Sequence, residues 1–255
     1  MSGMVMHRRD DGVVLLSDGG LYAGREDFTL TGFASKPILL PHLPAVMCIA
    51  GAAGLPLILQ YCHADQWEDF DSMVLRLRGD VVASINTLFR FEPMRTSVHA
   101  IVYLGGYSAT RGRWETYDLL VASDSDELED GVGSLTPAQA IVAIPGPSDE
   151  ALAKHGFADP DVANAPYALV QLMRAMRDTP QAMGGVGDAF DDCDQGSTIG
   201  GFIEQVYLCD KGITTSIVWR WPDEVGQMVD PSQQGAPALS WYSPEITTST
   251  AEQGD

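Results

Sequence analysis

The 255-residue chain carries 35 acidic against 15 basic side chains, a net charge of −20 with a pI near 4.3. A field of that sign repels DNA, RNA and anionic lipid, so nucleic-acid and membrane-surface functions are disfavoured. The apolar fraction of 45% is that of a globular protein, no apolar run approaches the ~20 residues of a membrane span, and Arg8, Arg9, Asp10 and Asp11 interrupt any signal-peptide core. These features predict a protein kept in a reducing cytoplasm.

The first element is a short strand, Gly3 to His7, turning at Arg9-Asp10-Asp11-Gly12. Four apolar residues, Val13 to Leu16, then run into Ser17-Asp18-Gly19-Gly20, as a strand buried on both faces does when it meets a turn. Asp18 ends that strand where a carboxylate needs a partner. Phe28 to Phe33 alternates as a half-buried strand, and Ser35-Lys36-Pro37 leads into Ile38-Leu39-Leu40. Ala45 to Gly51 is fully apolar and closes in Gly51-Ala52-Ala53-Gly54, small residues that let a backbone approach a ligand.

Leu55 to Ala64 and Phe70 to Phe91 follow a helical period. Val98 to Leu104 reads as a strand closed by Gly105-Gly106, with Arg113 to Val121 as its hairpin partner. The acidic stretch Ser123 to Gly133 reads as a solvated insertion. Ala138 to Ile144 is a strand, Ser148 can cap a helix from Asp149 to His155, and Pro166 to Arg177 is amphipathic, with Leu169, Leu172, Met173 and Met176 on one face. Gly184 to Asp194 reads as loose and acidic. Ile199 to Asp210 and Ile213 to Trp221 are closing strands, and the polar composition from Pro222 onward predicts a tail that is partly disordered.

No CxxC pair joins Cys48, Cys62, Cys193 and Cys209, so no zinc or redox motif is expected, and Cys48 and Cys209 read as core residues. The five histidines form no evident triad or metal set, and Cys62-His63-Ala64-Asp65 places adjacent residues on different helix faces. No phosphate-loop motif follows a strand. The order of strands, two helices, strands, two helices and strands fits two sheets packed face to face with helices outside both. The expected class is therefore α+β: a four-layer αββα sandwich of two antiparallel sheets.

This order, with these residues at its joints, resembles the proteasome β-subunit branch of the N-terminal nucleophile (Ntn) hydrolases, over roughly Ser2 to Trp221. The resemblance implies one Ntn domain over residues 2–221 and a C-terminal tail over 222–255. GVVLLSD looks like the family's second strand, whose Asp is here Asp18. Counting back from Gly12, the nucleophilic first residue falls on Ser2, which would become the N-terminus on removal of Met1. Lys36 stands where the family has its Lys, Gly51 where a glycine lends an oxyanion-hole N–H, and Asp194 and Ser197 have the family's Asp-to-Ser spacing. Pro145-Gly146-Pro147-Ser148 resembles a turn carrying a further active-site Ser. The chain departs from the pattern in having Ser rather than Thr as nucleophile, Gly20 in place of an Arg, Pro37 after the Lys, and the acidic insertion.

The residue types suit that chemistry. An α-amine, with an ordinary pKa of about 7.7–8.0, can deprotonate a hydroxyl on its own residue at neutral pH. A lysine close by would hold that amine neutral by like-charge repulsion, and Asp18 would orient the lysine. The resemblance implies a serine amide hydrolase or peptidase acting on peptide or small amide substrates. It implies no metal or cofactor and a homo-oligomer in the cytoplasm. The alternative is a catalytically inactive structural or assembly protein of the same fold, such as a virion component.

Overall fold

The computed structural model describes residues 3–22, 29–52, 54–124, 128, 130–156, 168–182 and 195–238. The chain opens with the hairpin β1 (Met4–Arg9) and β2 (Gly12–Asp18), turning at Asp10-Asp11. β3 (Gly20–Tyr22) and β4 (Leu30–Phe33) form a small ribbon. β5 (Ile38–Leu40) and β6 (Ala45–Gly51) lead into α1 (Gly54–His63) and α2 (Phe70–Phe91). A second long hairpin follows, β7 (Ser97–Ser108) and β8 (Arg113–Asp124), then β9 (Thr136–Pro137) and β10 (Ile141–Ile144). After α3 (Asp149–Lys154) and α4 (Ala168–Asp178) come β11 (Gln181–Ala182) and β12 (Gln195–Gly196), which pair with each other. The described residues close with β13 (Phe202–Cys209), β14 (Gly212–Arg220) and β15 (Ala236–Pro237).

Two antiparallel sheets result, in the orders β10-β1-β2-β13-β14-β15 and β5-β6-β7-β8-β9. All seven residues of β2 are buried, as its continuous apolar run predicts, because both of its faces are covered. Val13 and Leu15 point into the layer between the sheets with Met4, Met6, Val46 and Cys48, while Val14 and Leu16 pack under α4 against Met173 and Met176. On the other side, α1 and α2 cover the second sheet through Leu55, Leu59, Met73, Leu77, Val81 and Ile85. This is the expected αββα sandwich. The 22-residue α2 starts at a capping box: the Asp69 carboxylate accepts from Ser72 N at 2.6 Å and Ser72 Oγ accepts from Asp69 N at 3.1 Å.

Several boundaries differ from expectation. Gly105-Gly106 does not close a strand, since β7 runs through it to Ser108. A Cβ at Gly105 would lie 2.8 Å from Val13 Cγ1 of the facing sheet, and one at Gly106 would strike the Phe70 ring of α2. The two glycines are therefore packing notches that let one layer close on each side. The acidic stretch is not wholly solvated: Ser123 is buried in β8, Val132 bridges Val121 and joins the core, and Ala122 N donates to Gly131 O at 2.8 Å. Burial of the apolar Val132 draws that return leg onto the sheet edge. The strand expected over Ala138 to Ile144 begins only at Ile141. Met173 and Met176 are core residues, 0% and 1% exposed, and offer nothing to a neighbouring molecule. Cys48 is buried in the inter-sheet layer and Cys209 is half-buried. Residues 222–238 pack on the body, with Val229 buried and β15 paired to β14. The rest of the expected tail, and the expected loop over Gly184 to Asp194, lie outside the described residues.

Candidate active site

The site is built around the end of β2. Asp18 is fully buried, and each of its oxygens is satisfied by donors from distant parts of the chain. Oδ1 accepts from Gly3 N at 2.8 Å and from Lys36 Nζ at 2.6 Å. Oδ2 accepts from Gly20 N at 3.0 Å and from Gly200 N at 3.3 Å. Asp18 N in turn donates to Gly3 O at 3.0 Å, so one residue grips the N-terminal backbone by main chain and side chain together. The Lys36 side chain is 9% exposed. A buried ion pair is tolerable only when its remaining lone pairs are hydrogen-bonded, and three backbone N–H groups do that here.

Local sequence explains each placement. Lys36 lies between β4 and β5, where Pro37 restricts the preceding residue to extended backbone and so sets the direction from which Lys36 reaches Asp18. Gly3 accommodates Ile199, whose Cδ1 and Cγ1 would lie 2.6 Å from any Cβ at that position. The expected closing strand from Ile199 instead begins at Phe202, because Gly200 and Gly201 form a turn with φ +76° at Gly201 that brings Gly200 N to Asp18.

The sequence-predicted residues divide into three groups. Asp18 and Lys36 come together. Gly51 ends β6 with φ +121°, in a place where a Cβ would collide with His99 O, so only glycine fits. Ser197 is buried beside the Ile199 that covers Gly3, its Oγ 3.5 Å from Ile199 N. Ser148 lies four residues beyond Ile144, the partner of Met4 in β10. Its Oγ caps α3 by accepting from Ala151 N at 3.2 Å, and its N donates to Thr179 Oγ1 at 2.9 Å. It has no hydrogen bond to the Asp18 cluster. Ser2 and Asp194 lie outside the described residues.

Sequence reasoning missed the support beneath this cluster. Arg177, 2% exposed, makes a bidentate pair with Asp223 at 2.7 and 2.9 Å, donates to Ile199 O at 2.7 Å, and lies 4.7 Å from the Trp221 ring centre. Asp223 also accepts from Gly201 N at 2.7 Å, so this pair fixes the turn that carries Gly200 to Asp18. Tyr22 is the other omission. Burial, then the nearby Asp18 charge, pushes its phenol above the ordinary range and keeps it protonated, and its oxygen lies 3.0 Å from where a Gly20 Cβ would be. The phenol thus occupies the space next to Gly20, where the resembled family would carry an Arg. The one available signal was Arg177 itself, four residues after Met173 and so on the apolar stripe of its helix. Burial also pushes the Cys48 thiol up to about 12, although the Lys36 charge works against it, so this cysteine is no thiolate nucleophile at neutral pH.

The fold is thus a four-layer αββα sandwich with a buried Asp–Lys pair at the end of its second strand. Among solved structures the chain is similar to the Anbu (Gly-1) mutant from Hyphomicrobium sp. strain MC1, a likeness that supports a proteasome-like, Ntn-hydrolase-type fold. The likeness has a TM-score of 0.53 at 13% identity, over 88% of this chain and 90% of that one. It establishes the fold alone. No protein-family pattern matches the chain, and no curated protein matches it.

Proposed function

We propose that the chain is an N-terminal serine amide hydrolase whose nucleophile is Ser2. The observation that carries this is Asp18 Oδ1, shared between Gly3 N and Lys36 Nζ, which ties the residue next to Ser2 and a fixed positive charge to one atom. In this reading the free Ser2 amine takes the hydroxyl proton as Oγ attacks the amide carbon. The same amine then delivers that proton to the leaving nitrogen, and water later cleaves the Ser2 ester. Lys36 disfavours a second positive charge on the amine. Gly51 N–H stabilises the oxyanion, a donor typically worth about 2.7–4 kcal/mol. Asp194, Ser197 and Ser148 are assigned to holding the amine and a proton-carrying water, with Ser148 the weakest of the three because capping α3 already uses its hydroxyl. The substrate class is a peptide or another amide.

The mechanism requires a free Ser2 amine, so intact-mass analysis comes first, followed by labelling with an electrophilic Ser/Thr probe and hydrolysis of peptide amides. Ser2→Ala is expected to abolish both labelling and hydrolysis. A chain that retains Met1, or a Ser2→Ala variant with unchanged turnover, overturns the reading. A free Ser2 that never labels supports the non-catalytic assembly role instead. A homo-oligomer belongs to either version. Exposed Leu57 and Tyr61 on α1 and Leu75 and Phe91 on α2 support such contacts, and light scattering reports them.

A further inference from the structure

At the opposite end of the β1–β2 hairpin from Asp18, a cavity of about 330 Å3 opens between the tips of β1–β2 and β7–β8. Three of the chain's 15 basic side chains line it, Arg8, Arg9 and Arg113, against a single lining acid, Asp10. That concentration runs against a net charge of −20. Two of the arginines are already paired: Arg9 Nε lies 3.0 Å from Asp11 Oδ1, and Arg113 Nε lies 2.8 Å from Glu115 Oε1. Arg8 makes no ion pair and no side-chain hydrogen bond among the described residues, although it is half-buried. By strand alternation it shares a face with Met4 and Met6, which point between the sheets.

The wall beside it is aromatic. Tyr107 and Trp114 are direct cross-strand partners, with ring centres 5.2 Å apart in an edge arrangement, and Trp114 is 9% exposed. Gly112, at φ +64°, turns the hairpin tip without adding a side chain to the opening. A guanidinium with no carboxylate of its own is a donor fork suited to an oxyanion, and aromatic faces or edges suit a flat ring. The volume is at the lower end of small-molecule sites. The chain's net charge of −20 disfavours a polyanion and favours a small anion as the occupant.

We propose that this cavity binds a small anion bearing a flat ring, with its oxyanion on Arg8 and Arg113 and its ring against the Tyr107–Trp114 wall. The oxyanion could be a phosphate or a carboxylate, so the calorimetric test uses one of each, adenosine monophosphate and 3-phenylpropionate. Inorganic phosphate and adenosine serve as half-ligands of the nucleotide, acetate and benzyl alcohol as those of 3-phenylpropionate. At least one of the two probes is expected to saturate at one site per chain and to bind about tenfold or more tighter than either half-ligand. Arg8→Met should weaken it by about tenfold or more, with the urea midpoint confirming that the variant is folded. If Arg8→Met does not fold, the exposed Arg113→Met decides, and it too should weaken binding measurably. The proposal is overturned if neither probe saturates, if a half-ligand binds as tightly as the whole, or if the deciding variant binds like the wild type.

Discussion

The two ends of the β1–β2 hairpin handle charge by opposite means. At the Gly3 end, Asp18 and Lys36 are taken out of water, and every lone pair of the carboxylate is answered by a backbone N–H or the ammonium. At the Arg9 end, Arg9 and Asp11 meet at 3.0 Å with side chains 36% and 58% exposed, while Arg8 has no carboxylate partner among the described residues. Four residues of one strand, Met4 to His7, separate the two regimes. A dry, fully bonded charge fixes geometry, which is what a catalytic constellation requires. A wet or unanswered charge fixes little and keeps its donors for something else.

The largest test of this contrast is Asp18→Ala. It strands the Lys36 ammonium and the Gly3, Gly20 and Gly200 N–H groups, and should cost about 3–5 kcal/mol in urea unfolding. A loss under about 1 kcal/mol would mean that the pair behaves like a surface contact and that the contrast fails. An intermediate effect is expected at His7, buried on β1 between the two ends, with no partner for Nδ1 among the described residues. Burial, then the nearby Arg9 charge, holds its imidazole below the ordinary value of 6.5, with Asp11 partly opposing. As pH falls through about 6.5, the unfolded chain binds a proton that the folded chain refuses, so stability declines until the pH is below the folded value. Urea midpoints at about pH 7.5 and about pH 5 should therefore differ more in the wild type than in His7→Leu, and equal differences would exclude His7 as the cause. Arg9→Ala is the smallest effect, within about 1 kcal/mol and shrinking with added salt. A larger cost would show that the open end is as constrained as the closed one.

How much of this was legible in the sequence follows the same division. Strands buried on both faces announced themselves: β2 and β6 are continuous apolar runs, and the helical period of α2 gave both its ends. Asp18 was legible as a carboxylate at the end of such a run, and Lys36 only through the family resemblance. What remained hidden were contacts made by groups without sequence identity. The donors from Gly3, Gly20 and Gly200 are backbone N–H groups that any residue possesses. Arg177 and Asp223 are 46 positions apart, and only the fold brings them together beneath the Gly200 turn. Gly105-Gly106 was misleading because a glycine that ends a strand and one that admits a neighbouring layer look alike until the layer is in place.

Proline stands at every outer strand of both sheets. β9 is Thr136–Pro137 and β15 is Ala236–Pro237, β5 is bounded by Pro37 and Pro41, and β10 runs into Pro145. A proline offers no N–H to an incoming chain, and strands of two to four residues leave little ladder on which to build. Edge-to-edge growth of either sheet, whether by aggregation or by capture of an extended peptide as an added strand, is thereby discouraged on all four sides. Contacts between molecules of this protein are thereby steered away from the edges of the two main sheets and towards helix and loop side chains, a mode of contact that can be reversed without unzipping a sheet.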